Sequence, residues 1–453
     1  MIGDVDDDEN NRRDPLDLRS TWKRLSNLLQ CLLLTIVIAF LMKVQSSDST
    51  QSHLLNTITD DDISSLSLMK KEKKVKSIPH IYYPIDSGAE NMYWPIIPDE
   101  HIKFMPRVYT QWNSSNSWCQ VESAFDTRTP AGLIYVKNHK AASSTLAGVN
   151  IRIAVNYGRR HLQSNRRLLY PQRRIKPHLE GACSSRENHD DSRKYHERDP
   201  SRSFMYTSIR HPVHRALSWI FYLVSNQGRN ISDNSLIQHF KRQTHFVKGT
   251  SSKASKFHYE AGAQVGYLYT GKHAKKYLWQ TDTLVNLPTS LNRVSTVMRE
   301  YDLFLIVERL DESLVALKFL LKLETSDILY LSAKQSGGYS YSAAPFEGCH
   351  KIIPSYISSA VSDFLSSPFW YAQNYEDYVL YEAANRSLDM TIEKIGLSQF
   401  KSALAEYRNM MNDVKVCANE TVEPCSSDGT YHKITDCYNR DWGCGYPCLD
   451  RWN

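Results

Sequence analysis

The sequence lacks the G-x-x-x-x-G-K-[S/T] spacing that holds the phosphates of ATP in nucleotide hydrolases. It also has little that would bind a metal ion, because the C-terminal cysteines show no paired C-x-x-C spacing and have only His432 beside them. The nearest string to an Asp-x-Asp metal motif, Asp60-Asp61-Asp62, lies in a polar segment near the N-terminus. These absences argue against ATP hydrolysis and metal-dependent glycosyl transfer, and they make zinc binding the weaker interpretation of the cysteines.

Charge of one sign is not in large excess in the 453 residues. Charged residues make up 23% and apolar residues 41% of the chain, which is typical of a globular protein and not of a disordered one. The formal net charge of +6 is modest. It permits an anionic ligand without requiring nucleic acid, so we expect no nucleic-acid partner.

A single apolar segment, residues 25–42, is free of charge over a length that just spans a hydrocarbon core. Arg19, Lys23 and Arg24 precede it, which favours an N-terminus that stays in the cytosol. A cleaved signal peptide is the alternative, but the leader is long and acidic and no clear small-residue cleavage site is present. We therefore predict five regions: a cytosolic tail at 1–24, a transmembrane signal anchor at 25–42, a stem at 43–100, a main folded domain at 101–413 and a disulfide-rich tail at 414–453.

Eight of the nine cysteines lie beyond the apolar segment. Five of them crowd the end of the chain, namely Cys417, Cys425, Cys437, Cys444 and Cys448. A clustered, even set in a translocated chain predicts disulfides, and four N-x-[S/T] sequons beyond the anchor, at Asn113, Asn230, Asn385 and Asn419, are consistent with a lumenal glycoprotein. Because five is odd, at least one tail cysteine pairs with Cys119, Cys183 or Cys349, pairs between chains, or stays free.

Three short apolar segments, each followed by an amphipathic helical pattern, predict the fold class. The segments are 133–136, 204–209 and 303–307, and the helical patterns are 144–157, 212–224 and 311–323. We expect Gly158 to end the first helix, Pro212 to occupy the first turn of the second, and Asp311 to cap the third. Alternating strands and helices predict an α/β protein with a parallel sheet flanked by helices, whose ligands bind where strands end.

Two polar loops follow the first two predicted strands. The first reads Lys137-Asn138-His139-Lys140-Ala141-Ala142-Ser143-Ser144-Thr145, in which small residues, a lysine and hydroxyls precede a helix N-terminus. Such a segment forms a phosphate cradle, or else a polar surface turn. The second loop carries Arg210 at the end of its strand and Ser218 in the helix that follows. Arg210 can donate two hydrogen bonds to a phosphate, or it can pair with a carboxylate.

Taken together, the two loops resemble the signature of Golgi carbohydrate sulfotransferases, most closely the galactose 3-O- and heparan sulfate 2-O-sulfotransferases. The resemblance covers residues 133–331, including the stretch 301–309. It departs at Ala142, where a small Gly is common, and at His211, where an acid usually follows the arginine. The resemblance implies a P-loop-like nucleotide-binding fold that binds 3′-phosphoadenosine 5′-phosphosulfate. The donor-binding residues it implies are Lys140, Ala141, Ala142, Ser143, Ser144, Thr145, Arg210 and Ser218.

The resemblance also implies the reaction, which is transfer of a sulfuryl group to a hydroxyl of a glycan in the Golgi lumen. Lys140 supports the leaving phosphate, no metal is expected, and a histidine about twenty residues before the arginine acts as the base. His189 fits that spacing and His178 is the alternative; His139, His161 and His196 also lie in the interval. Two other functions stay open: a metal-dependent Golgi glycosyltransferase, and a non-catalytic glycan-binding protein on the same fold.

Two further segments are candidates for ligand contacts. Residues 159–176 are rich in arginine and contain no acid, which is typical either of a docking surface for an anionic acceptor or of a solvated loop. The glycine-containing stretch 334–339 is a candidate lid over the nucleotide.

Overall fold

A computed structural model describes residues 97–112, 118–119, 131–161, 183, 185–188, 195, 197–225, 232–244, 264–269, 287–342 and 348–453. All of them belong to one compact unit, Pro79–Asn453, and the chain's other unit is Met1–Ile78. Within these ranges no helix has the length and apolarity needed to cross a membrane. The predicted anchor at 25–42 lies outside the described residues, so it stays a prediction.

A four-stranded parallel sheet forms the centre of the domain, with the strand order β2-β1-β3-β4. Its strands are β1 Gly132–Val136, β2 Ser185–Asn188, β3 Ser203–Ile209 and β4 Leu303–Ile306. Every residue of β1, β3 and β4 is buried, as expected for parallel strands covered on both faces. The predicted α/β class and the three predicted strands are confirmed.

Helices surround this sheet and account for most of the remaining described residues. They are α1 Asp99–Ile102, α2 Ser143–His161, α3 Pro212–Ser225, α4 Asp233–Thr244, α5 Gln264–Leu268, α6 Leu287–Glu300, α7 Leu310–Leu321, α8 Ser359–Leu365, α9 Pro368–Gln373, α10 Tyr375–Ile395, α11 Leu397–Asp413, α12 Val416–Glu420 and α13 Tyr446–Leu449. Two antiparallel hairpins complete the description: β5 Tyr339–Ser342 with β6 Gly348–Lys351, and β7 Cys437–Asn439 with β8 Trp442–Cys444.

Two predicted helix boundaries differ from the observed ones. Helix α2 continues past the buried Gly158 to His161, and Arg159 and Arg160 in this last turn are held by ion pairs to Asp450 and Asp327. Asp311 is not the cap of α7, since the helix begins at Leu310 and Asp311 already lies in its first turn. A carboxylate there still favours the positive end of the helix dipole.

Four disulfides join all eight cysteines beyond residue 42. The pairs are Cys119–Cys183, Cys349–Cys425, Cys417–Cys448 and Cys437–Cys444. The odd tail cysteine is thus Cys425, which bonds to Cys349 in the β6 strand. Because the cysteines are consumed in disulfides, they are not available as zinc ligands.

The C-terminal tail packs on helix α2. A methyl group added to Gly148 would meet the backbone nitrogen of Gly443 at 2.3 Å, so the helix and the tail touch backbone to backbone. Arg152, which is buried, donates from Nη1 to Oδ1 of Asp450 at 2.6 Å and from Nη2 to the carbonyl of Leu449 at 3.0 Å. The tail is therefore fixed to the helix that starts at the first polar loop.

Candidate functional site

The two polar loops meet at one edge of the sheet, because β1 and β3 are adjacent parallel strands. The Ser208 hydroxyl donates to the carbonyl of Ala141 at 2.6 Å, and Nη1 of Arg210 donates to the carbonyl of Lys140 at 3.4 Å. At the end of β1, the Thr207 hydroxyl donates to the carbonyl of Val136 at 2.7 Å. The residues that the sequence grouped into two separate loops thus form one site at the strand ends.

The first loop has an unusual backbone. Lys140 and Ala142 both have positive φ angles, 61° and 55°, in the left-handed region that favours glycine. Helix α2 starts directly afterwards at Ser143, so the loop lies over the helix N-terminus. A glycine would adopt the conformation of Ala142 without strain, which gives a physical reason for the small Gly expected at this position.

Lys140, which is half-buried, presents its ammonium group at this loop. Its Nζ lies 3.8 Å from the centre of the Tyr222 ring, an arrangement that favours a cation. The pKa of Lys140 is lowered to about 7, mainly by burial and also by the nearby positive charges of Lys334 and Arg210, while Asp441 opposes the shift. An anion bound here would stabilise the protonated form, because opposite charges favour ionisation.

Glu308 places a carboxylate beside the second loop. Its Oε1 accepts from the backbone amide of His211 at 3.1 Å, lies 2.9 Å from Nδ1 of His214, and is 3.9 Å from Nε of Arg210. Burial raises the pKa of Glu308, but His214 and Arg210 hold it below its ordinary value. Arg210 thus has a carboxylate beside it, supplied from just beyond the end of β4.

Gln264 ties the two loops together. This fully buried residue at the start of α5 accepts through Oε1 from Nδ2 of Asn138 at 2.9 Å and from the amide of Arg210 at 3.0 Å. Its Nε2 donates to the carbonyl of Arg210 at 2.8 Å. One side chain therefore fixes the spacing between the first loop and Arg210.

Asp377 supports this arrangement from helix α10. Its carboxylate accepts from the backbone amides of Gln264 at 2.8 Å and Val265 at 2.9 Å. Burial raises the pKa of Asp377, and the positive charge of Arg215 opposes that shift. Arg215 in turn donates from Nε to the carbonyl of His139 at 3.0 Å. A continuous buried network thus runs from α10 to the first loop.

The hydroxyl residues predicted to bind the donor occupy the expected elements. Ser143 and Thr145 are buried and Ser144 is half-buried in the first turn of α2, whereas Ser218 is half-buried in α3. The Thr145 hydroxyl accepts from the backbone amide of Ala333 at 3.0 Å. The hydroxyl residues of the first loop therefore lie together, with Ser218 on the helix that follows Arg210.

The predicted base, His189, lies outside the described residues, as do His178 and His196. Two other candidates can be judged. The ring of His139 packs edge-on against Trp219 and Tyr267, and its pKa is lowered to about 3 by burial and by neighbouring cations, so it stays neutral and is a weak base. His161 ends α2, about 27 Å along the helix from the loop. Neither position favours a role in proton abstraction at the site.

The tail and the stretch 334–339 also reach the site. Nζ of Lys137 lies 3.3 Å from the centre of the Trp442 ring, and Nζ of Lys334 lies 3.0 Å from Oδ2 of Asp441. The amide of Gly337 donates to the carbonyl of Ile352 at 2.9 Å, which ties the stretch to the chain beyond β6. The candidate lid 334–339 is thus held by the C-terminal tail at Lys334 and by the chain after β6 at Gly337.

The basic segment 159–176 begins with residues that have structural partners. Arg159 lies 3.0 Å from Asp450, and Arg160 pairs with Asp327 at 2.5 Å. Its other residues from 162 onward lie outside the described residues, so a docking role for them stays a prediction.

Sequence reasoning missed Gln264, Glu308, Asp377 and Trp442 at this site. Glu308 lies in the 301–309 stretch that carries part of the resemblance, so a signal existed for it. The other three carry no motif, and only their contacts reveal them. No protein-family model, curated protein or solved structure matches this chain.

Proposed function

We propose that the protein is a sulfotransferase that moves a sulfuryl group from 3′-phosphoadenosine 5′-phosphosulfate to a hydroxyl of a glycan. One observation carries the proposal: the lysine-bearing loop and Arg210 converge at the ends of adjacent parallel strands, linked by Arg210 Nη1 to the Lys140 carbonyl at 3.4 Å. Anions bind at such strand ends beside helix N-termini. A donor with two phosphate-bearing ends needs two cationic positions, which these loops supply.

The chemistry assigns a role to each group. The acceptor oxygen bonds to sulfur as the bond between sulfur and the 5′-phosphate oxygen breaks, and the acceptor proton passes to a base. The ammonium of Lys140 neutralises the charge that develops on the departing phosphate, a use of positioned side chains where phosphoryl transfer uses magnesium. Arg210 suits the 3′-phosphate because its guanidinium donates in a fixed fork.

His189 is the proposed base, with His178 as the alternative. His189→Ala should lower the rate by about 10²-fold or more while the affinity for the donor changes little, since a base acts on the transition state. Steady-state kinetics and donor binding measured on both His189→Ala and His178→Ala separate the two. Normal turnover in both variants would move the base elsewhere.

The compartment is part of the proposal. Four disulfides support a domain that folds in an oxidising space, and the predicted anchor at 25–42 supports a single-pass membrane protein. Of the two sequons within the described residues, Asn419 is exposed, whereas Asn385 is half-buried in α10 and donates to the carbonyl of Tyr381. These features favour a Golgi protein with its catalytic domain in the lumen and a carbohydrate chain at Asn419.

The direct test of activity is transfer of radiolabelled sulfate from the donor to a panel of neutral and acidic glycans by the full chain in detergent. We expect one class of glycan to be labelled, and turnover to survive a chelator. Activity that requires a nucleotide sugar and manganese would instead support the glycosyltransferase alternative. Nucleotide binding without any transfer would support a non-catalytic glycan-binding protein.

A further inference from the structure

The hairpin formed by β7 and β8 lies against the start of helix α2. Its two strands are joined by the Cys437–Cys444 disulfide and by strand pairing of the same two residues. Gly443 touches Gly148 so closely that a methyl group on either glycine would meet the other's backbone at 3.2 Å or less. The hairpin therefore packs closely on α2 at Gly148, a few residues beyond the first loop.

In this position the Trp442 side chain of the hairpin lies near the end of β1. Lys137, the first residue after β1, is fully buried, and its Nζ lies 3.3 Å from the centre of the Trp442 ring. A charged ammonium is costly to bury, and the face of an aromatic ring offsets part of that cost. The neighbouring Asp441 pairs with Lys334, so the hairpin contacts two separate cations of this region.

We propose that Trp442 is a positioning residue of the anion-binding site, whose ring holds the ammonium of Lys137 at the base of the loop 137–142. The disulfide-bonded C-terminal tail then contributes to donor binding as well as to the stability of the fold. The proposal rests on the proposed function for the identity of the ligand, which is the donor nucleotide. The contact between Trp442 and Lys137 does not depend on that identity.

Three variants of the full chain separate positioning from packing. Trp442→Leu keeps an apolar side chain without an aromatic face, Trp442→Phe keeps such a face, and Glu420→Gln removes a carboxylate elsewhere in the tail, where Glu420 pairs with Arg451. The affinity for 3′-phosphoadenosine 5′-phosphate is measured by calorimetry, beside the melting temperature of each variant. We expect about a tenfold loss of affinity for Trp442→Leu, under threefold for Trp442→Phe, and none for Glu420→Gln.

Labelling of Lys137 gives a second measurement that needs no ligand. An amine-reactive reagent followed by mass spectrometry should modify Lys137 at least about threefold faster in Trp442→Leu than in Trp442→Phe, because an aromatic ring that holds the buried ammonium also keeps it from the reagent. Equal affinity and equal labelling in these two variants would overturn the proposal. If the unmodified protein binds no nucleotide, the proposed function fails, and the labelling rates alone then decide the role of Trp442.

Discussion

The loops at the ends of β1 and β3 and the cysteine-rich tail meet at one site but are specified in different ways. Each loop is a short continuous segment whose residue order already indicates a phosphate cradle. The tail reaches the site only through contacts that join distant parts of the chain, such as Trp442 with Lys137 and Gly443 with Gly148. Local patterns thus identify the groups that carry charge, and the fold identifies the groups that hold them in place.

The largest expected effect lies in the loops. Lys140→Ala should lower the rate by about 10²-fold or more and also weaken the donor, because the ammonium contacts a charge present before and during transfer. Steady-state kinetics with the tail variant Glu420→Gln as control measure the contrast. A loss of similar size in Glu420→Gln would erase the distinction between the two regions.

Gln264 belongs to neither region, and yet it fixes the distance between the two loops. Gln264→Ala removes three hydrogen bonds, to Asn138 and to both backbone groups of Arg210, and should weaken nucleotide binding about tenfold. Gln264→Ala should also lower the stability of the domain. Leu388→Ala, which removes a buried side chain in α10 and also lowers stability, therefore serves as the matched control. Calorimetry on both variants should show weaker binding only for Gln264→Ala; equal affinities would reduce Gln264 to a core residue.

The pKa of Lys140, about 7, predicts that donor binding depends on pH. Since its folded-state pKa lies below its ordinary value, the charge that attracts the anion is lost as pH rises through 7. Affinity should fall about fivefold between pH 7 and pH 8, following the loss of the protonated form. Lys140→Arg stays charged, so its affinity should depend less on pH. Titration of the ligand itself affects both proteins equally and therefore does not explain a difference between them. Parallel profiles in titration calorimetry would rule out Lys140 as the titrating group.

The smallest effect concerns backbone strain in the first loop. Ala142 has a φ angle of 55°, which glycine adopts more easily, so Ala142→Gly should change the free energy of unfolding by no more than about 1 kcal/mol, in the stabilising direction or near zero. Donor binding should be retained. Chemical denaturation measures the change, and a clear destabilisation would mean that the methyl group makes packing contacts that outweigh the strain.

The sequence was sufficient for the parts of the fold set by local patterns. The strands β1, β3 and β4 were predicted from short apolar segments, since burial on both faces demands such composition. The strand β2 was missed, because Ser185–Asn188 is polar and lies at the sheet edge. Gly158 was mistaken for a helix end because the ion pairs that hold the last turn of α2 come from distant segments.

The candidate site divides in the same way. Lys140, Arg210 and the hydroxyl residues were predicted from loops, and the structure brings the two loops together. Gln264 and Asp377 were not predicted, because a buried hydrogen-bond network leaves no periodic pattern and its members lie far apart along the chain. The disulfide partners were also open, since spacing alone does not distinguish the possible pairings.

If the two loops bind one doubly phosphorylated nucleotide, 3′-phosphoadenosine 5′-phosphate should change the thermal stability of the full chain. Saturating nucleotide should raise the melting temperature, because a ligand that binds only the folded state stabilises it. Arg210→Ala should lose most of that rise, through a weakening of about 2 kcal/mol or more in binding. An unmodified protein that is folded and shows no rise at saturation would contradict the account.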